Sequence, residues 1–286
     1  MNLRQLPFSR RSIAIAVALV GTASLVIGAN AALNKRALDA AKAVATEEAD
    51  AATGKGARLA LIIGNGQYPD ANEPLVQPIN DARALSGSLR SNGFDVDVVE
   101  DASKDDMTRA IARLTARVKP GSVVMLFFGG YGVQAGRQSY MLPVDATIWR
   151  EADVKRDGFA VESVLEAMKE RGATAKLVVI DASRRNPYER RFRTFSHGLA
   201  PIAAPDNALI LTSATPGKVA EDSKGQYSVL ISELLNHLNA HSMVGAEAAF
   251  NKTRVAISKA SDGEQVPSVS SSLLDEVRFG TAEAGS

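Results

Sequence analysis

The chain is predicted to fold as an α/β domain built on a parallel sheet with crossover helices. Three observations lead there: short apolar runs of strand length, amphipathic helical stretches between them, and Gly, Asn, Asp or Ser where the runs stop. Strands that run parallel cannot be joined by tight hairpins, and the intervening helical stretches are long enough to make the crossings.

Leu59–Ile63 reads as a buried strand that stops at Gly64-Asn65-Gly66. Asn80 is placed to cap a helix running through Leu85 and Leu89, and Gly93 to end it. Phe94–Val99 alternates as a strand does. Asp101 or Ser103 opens the next helix, which carries Met107, Ile111, Leu114 and Val118 on one side. Val123–Phe128 is an apolar strand entering Gly129-Gly130-Tyr131-Gly132. A short strand near Tyr140–Leu142 follows, then a helix over Val161–Glu170 ended by Gly172. The strand Lys176–Ile180 next enters Asp181-Ala182-Ser183. Ala208–Thr212 is a further strand, and helices run around Ser228–Leu238 and Ala246–Lys259. The polar tail after Ser261, with Val266-Pro267 and a serine run, finishes against the domain edge. No internal repeat is visible.

The 33 basic and 32 acidic residues are scattered and leave a formal charge of +1, so there is no electrostatic footprint for nucleic acid. The absence of cysteine excludes disulfides, thiolate metal sites and a cysteine nucleophile. The histidines are His197, His237 and His241. His237 and His241 stand four apart on a helix, a spacing able to hold a metal. No third ligand stands in an evident motif, so a solvent-facing pair is the simpler reading, and no metal or cofactor is expected.

The 286 residues suffice for one large domain once the N-terminus is set aside. Arg4, Arg10 and Arg11 precede an uncharged stretch from Ser12 to Leu33, and Ala29-Asn30-Ala31 fits a small-x-small cleavage site. Ser9-Arg10-Arg11 resembles a bacterial twin-arginine export signal. Residues 1–33 are therefore read as a signal peptide or, because the stretch approaches the roughly 20 residues that span a bilayer, as an uncleaved membrane anchor. The expected location is periplasmic or otherwise exported, with inner-membrane anchoring if the segment stays. Residues 34–56, rich in Ala with Lys, Arg, Glu and Asp, form a helical or flexible spacer, residues 57–280 the folded domain and 281–286 a tail.

In open parallel sheets, ligands bind beyond the carboxyl ends of the strands, where loops diverge. If the strands that end at Gly64, Gly129 and Asp181 are neighbours, Tyr131 and Ser183 share one crevice. The glycines around Tyr131 permit close backbone approach, and their N–H groups can face an oxyanion. The same residues also suit ordinary strand-ending turns, and spacing alone does not choose between the two readings. Gly64-Asn65-Gly66 lacks the spaced third glycine of a dinucleotide fingerprint, since Gln67-Tyr68-Pro69 follows.

Leu59 to Tyr68, Asn80-Asp81-Ala82, Phe127 to Gln134, Tyr140 to Asp145, Asp181 to Pro187 and Gly198 to Pro201 together resemble the caspase and metacaspase family in its bacterial form. The likeness covers roughly Arg58 to Gly280, and its specificity lies in the ordered combination. It implies the caspase-hemoglobinase fold, a mostly parallel sheet with helices on both faces. Family peptidases carry a histidine in a Gly-His-Gly turn and a cysteine after Asp-Ala; the matching positions here are Tyr131 and Ser183.

Both halves of that dyad differ, and the difference is chemical. A thiol of reference pKa roughly 8.5 becomes a thiolate beside a histidine. A serine hydroxyl is a weak nucleophile without an adjacent base, and a tyrosine of reference pKa roughly 10 is mostly protonated at neutral pH. Arg184 and Arg185 are the nearby cations able to lower it. Tyr131 is expected instead to donate a hydrogen bond to Ser183 that holds the two loops together. His197 is a loop histidine able to swing towards Ser183 and complete a serine-hydrolase geometry with Asp181 or another carboxylate; an exposed or satisfied loop histidine is the plainer alternative.

Asp81 and Asp181 match acidic positions that line the pocket for a basic side chain in metacaspases, which implies binding of an Arg- or Lys-bearing peptide or protein. The alternative places Asp81 at a helix start, favoured by the dipole, and Asp181 in a pair with a neighbouring arginine. Three functions follow: a pseudopeptidase that keeps a peptide- or protein-binding module, an active hydrolase using Ser183, or a scaffold with the cleft closed. The membrane is a partner only if the N-terminal segment is uncleaved.

Overall fold

The computed structural model describes residues 56–70, 74–188, 198–220, 225–240 and 244–280. The signal or anchor, all of the spacer but Gly56, the 281–286 tail, His197 and His241 lie outside the described residues.

Nine strands and six helices are described. In chain order they are β1 (Arg58–Gly64), α1 (Gln77–Ser91), β2 (Asp95–Glu100), α2 (Lys104–Arg117), β3 (Val123–Gly129), β4 (Gly132–Ala135), β5 (Gln138–Met141) and α3 (Glu151–Asp157). Then come β6 (Phe159–Ala160), α4 (Val161–Glu170), β7 (Ala175–Asp181), β8 (Ala208–Thr212), α5 (Val229–Ala240), α6 (Ala246–Ala260) and β9 (Ser268–Ser271).

The main sheet has the order β2-β1-β3-β7-β8-β9. Its first five strands pair parallel, and β9 closes the edge antiparallel to β8. This is the mostly parallel α/β sheet expected from the sequence, and the polar tail does finish at its edge, as a strand.

Side chains alternate across each strand, so one sheet supplies two cores. Leu61, Ile63, Leu126, Phe128, Val178 and Ile180 face α2 and α4 through Met107, Leu114, Leu165 and Met168. Ile62, Met125, Phe127, Leu177, Val179 and Leu211 face α1, α5 and α6 through Leu85, Leu89, Leu234 and Phe250. The central strands are apolar at nearly every position because both faces are covered, with Arg58 in β1 and Lys176 and Asp181 in β7 as the charged exceptions. Full burial of a side chain such as Phe127 or Phe128 contributes about 1.5–3 kcal/mol.

Helix boundaries follow local chemistry, with one shift from expectation. Ser103 accepts from the Asp106 N–H while Asp106 accepts from the Ser103 N–H, a capping box that starts α2. Asp101 serves instead as an anchor, its Oδ1 accepting from the N–H groups of Gly66 and Gln67 at 2.8 Å each. Helix α1 begins earlier than Asn80, at Gln77, because Pro78 suits the first turn, where N–H groups have no helical partner. Asn80 donates from within the helix to the Gln226 carbonyl at 3.1 Å. Gly93 ends the helix at φ 80°, a conformation that disfavours a Cβ, while Phe94 N–H returns to the Leu89 carbonyl.

Residues 132–160 form a second, antiparallel sheet, β4-β5-β6. Alternation there spans only two to four residues per strand, too short to register as periodicity, so of the three strands only β5 was expected. Its apolar cluster, including Val133, Tyr140, Leu142, Ile148 and Val154, also contains Tyr68, Tyr131 and Tyr188. Among the described residues no helix is long and apolar enough to cross a membrane.

Candidate functional site

Strands β1, β3 and β7 are neighbours, and their carboxyl ends coincide: Gly64 pairs with Gly129, and Gly129 with Asp181. Tyr131 and Ser183 each lie two residues beyond that line and therefore come side by side. Backbone bonds join their loops, from Gly130 N–H to the Asp181 carbonyl at 3.3 Å and from Gly132 N–H to the Ala182 carbonyl at 3.2 Å. Gly132 is needed for this approach, since a Cβ there would lie 2.7 Å from Leu199 Cδ2 and 2.9 Å from Ala182 Cβ.

The expected crevice is closed. Tyr131 is 8% exposed and Ser183 1%. Ser183 Oγ is buried and has no hydrogen-bond partner among the described residues, so the expected Tyr131–Ser183 bond is not formed. The loops are joined by backbone pairing. Ser183 N–H donates to Ser213 Oγ at 3.3 Å, and its carbonyl accepts from Ala220 N–H at 2.7 Å.

Two residues that the sequence presented only as turn and motif members organise the Tyr131 side. Tyr68 Oη accepts from Tyr131 N–H at 3.1 Å and donates to the Leu142 carbonyl at 3.0 Å. Its ring meets that of Tyr131 edge-on at 4.9 Å. Burial pushes the Tyr68 phenol far above its usual range, so it remains a neutral donor. Asn65, fully buried, donates to the Leu142 carbonyl at 3.2 Å and accepts from Ala102 N–H at 2.9 Å. The Gly-Asn-Gly-x-Tyr run was the available signal, but turn chemistry alone accounts for it equally well.

Asp81 and Asp181 are both buried, at 0% and 3% exposure. Asp81 sits on α1 one turn beyond the start rather than at the cap. Its Oδ1 accepts from Ser228 N–H at 3.0 Å, and Ser228 Oγ in turn accepts from Ile231 N–H at the head of α5. Burial first, and then the Asp181 charge, push the Asp81 carboxyl up to about 7; the Ser228 N–H and the Arg184 charge act in the opposite direction. The second oxygens, Asp81 Oδ2 and Asp181 Oδ2, are buried without a hydrogen-bond partner among the described residues. Arg184, 6% exposed, donates from Nη1 to the Gly130 carbonyl at 3.0 Å and to the Asp181 carbonyl. The same nitrogen lies 3.7 Å from Asp181 Oδ1.

The mostly parallel sheet with helices on both faces, and two loops joined at adjacent strand ends, fit the comparison with known families, in which residues 57–278 match the caspase domain. The chain belongs to the caspase-domain family. A stretch of 133 residues, 46% of the chain, is 27% identical to the human mucosa-associated lymphoid tissue lymphoma translocation protein 1, and equally to its mouse homologue. That stretch spans only 16% of each relative.

Within this caspase domain, the structure brings Tyr131, Ser183, Asp181 and Arg184 together at one end of the sheet, with Asp81 electrostatically coupled to the last two. His197, the one loop histidine proposed as a base for Ser183, lies outside the described residues. His237 is half-buried on α5, its Nε2 without a hydrogen-bond partner among the described residues. No group of three metal-ligating side chains gathers among the described residues.

Proposed function

We propose that the protein is an exported caspase-like pseudopeptidase that recognises an arginine- or lysine-bearing peptide or protein through Asp81 and Asp181 without cleaving it. The observation that carries this reading is the pairing of two buried carboxylates, each with an unfilled oxygen, beside a serine whose hydroxyl contacts no base among the described residues. A buried carboxylate without a full set of donors is costly, and a peptide guanidinium supplies donors in a fork that matches it.

Catalysis by Ser183 would need proton removal from Oγ, and neither Tyr131, with its high reference pKa, nor a hydrogen-bonded partner provides it. Export rests on Arg10-Arg11 ahead of the uncharged 12–33 stretch, with release or inner-membrane anchoring decided by cleavage near Ala29-Asn30-Ala31. The burial of Ser183 favours one rival, a scaffold with a permanently closed site.

The test is Ser183→Ala in the full chain. Loss of an unpartnered buried hydroxyl is expected to leave thermal stability unchanged or slightly raised, and to alter the affinity for an arginine peptide less than about twofold. Wild-type hydrolysis that disappears in Ser183→Ala would establish the hydrolase reading. Failure of both proteins to bind the peptide would leave the scaffold.

A further inference from the structure

We infer that a cavity at the opposite end of the main sheet binds a small zwitterion, an α-amino acid with a short apolar side chain. The cavity lies at the amino ends of the strands. Arg58 opens β1, Ala175 opens β7, Val123 opens β3 between them in register with both, and Asn207 directly precedes β8. A seven-residue strand rises about 20 Å, so this place is separate from Tyr131 and Ser183. The inference is independent of the recognition reading of Asp81 and Asp181.

Size and lining set the first limits on the ligand. The cavity measures about 210 Å³. That is the space of roughly seven waters at about 30 Å³ each, enough for one small amino acid and short of the roughly 300–1,000 Å³ of a drug-sized site. Val123, Leu273 and Val277 give it an apolar wall that suits an aliphatic side chain.

Two lining residues of opposite charge lack a counter-ion. Arg58 is half-buried, its Nη2 donates to the Arg278 carbonyl at 2.7 Å, and its guanidinium lies 4.4 Å over the Phe94 ring. These contacts fix the group in place, but neither partner carries a negative charge. Nε is buried without a hydrogen-bond partner among the described residues. Burial pulls the Arg58 pKa below its ordinary range, and no carboxylate acts against that pull. Arg278 differs, because its Nη2 stands 2.7 Å from Glu276 Oε2. Asp275 is exposed and forms no ion pair among the described residues.

Arg58 and Asp275 thus line one cavity without pairing with each other, and a molecule carrying both charges satisfies both. Its carboxylate meets the planar fork of the guanidinium, and its ammonium meets Asp275. Asn207, whose Oδ1 accepts from Leu274 N–H at 3.0 Å, adds an amide donor for the carboxylate. Asp275 and Glu276 together disfavour a dianion such as phosphate, because like charges brought together repel.

The probes are leucine, isocaproate, which lacks the ammonium, leucinamide, which lacks the carboxylate, and inorganic phosphate. Each is titrated calorimetrically against the full chain, Arg58→Gln and Asp275→Asn. Saturable binding of leucine is expected, at least about tenfold tighter than leucinamide, as a hydrogen-bonded charge implies. The preference over isocaproate should be about threefold, since Asp275 is exposed, and phosphate should not bind. Asp275→Asn should erase the preference over isocaproate. Arg58→Gln should weaken leucine at least about tenfold; glutamine keeps a donor for the Arg278 carbonyl, and thermal melting confirms the fold.

No saturable leucine binding by the wild type, or leucinamide bound as tightly as leucine, would overturn the inference. So would an unchanged preference over isocaproate in folded Asp275→Asn. None of these results bears on arginine-peptide recognition, which is read at the other end of the sheet.

Discussion

Asp81→Asn is expected to stabilise the domain at pH 8 and to weaken its binding of an arginine peptide. The carboxyl titrates near 7 in the folded chain and near 4 when unfolded, so the folded state holds the proton more tightly. Stability therefore falls as pH rises from about 4 to about 7, and the whole cost persists above 7. A shift of about three units corresponds to roughly 4 kcal/mol at most. Loss of the charged acceptor for Ser228 N–H offsets about 1 kcal/mol of that. Asparagine should thus raise stability by about 2–3 kcal/mol at pH 8 and change it little at pH 4, as read by denaturant titration at both pH values. Peptide affinity should fall at least about 30-fold, the consequence of removing one partner from a buried charge pair. In the wild type, affinity should increase with pH through 7 as Asp81 ionises. A variant that lost both stability and binding would make Asp81 a plain structural anchor of α5.

Tyr131→His with Ser183→Cys is expected to create turnover on arginine peptides where the wild type has none. Backbone bonds at Gly130 and Gly132 join the loops that carry positions 131 and 183, and those bonds do not involve the replaced side chains. A thiol beside an imidazole ionises in a way that Ser183 beside Tyr131 does not. General-base assistance contributes about 10²–10⁴-fold, so the double variant should exceed each single replacement by at least about 100-fold in kcat/KM. The gain should be confined to peptides with arginine or lysine before the cleaved bond. A folded double variant with no activity would mean that the loops, though adjacent, do not present their side chains to a common substrate.

The sheet was legible because each central strand carries apolar residues on both faces: Leu59–Ile63, Val123–Phe128 and Lys176–Ile180 all became strands within a residue or two. The edge was not. Val269 is the only large apolar residue in β9, and antiparallel pairing with β8 rather than any pattern makes Ser268–Ser271 a strand. The neighbourhood of Tyr131 and Ser183 followed from strand adjacency, but their burial did not, because it depends on packing from distant segments, as Tyr68 packs against Tyr131. The expected hydroxyl bond between them failed for a related reason: main-chain groups had already joined the loops. Asp81 and Asp181 stand 100 positions apart in the chain. Only the packing of α1 and α5 against the sheet sets their charges against each other.

The most direct test of the central claim is a calorimetric titration of the full chain with a hexapeptide bearing one internal arginine, followed by mass analysis of the recovered peptide. Saturable binding with the peptide recovered intact is the predicted result. A cleaved peptide, or no heat of binding across the titration, would contradict recognition without catalysis.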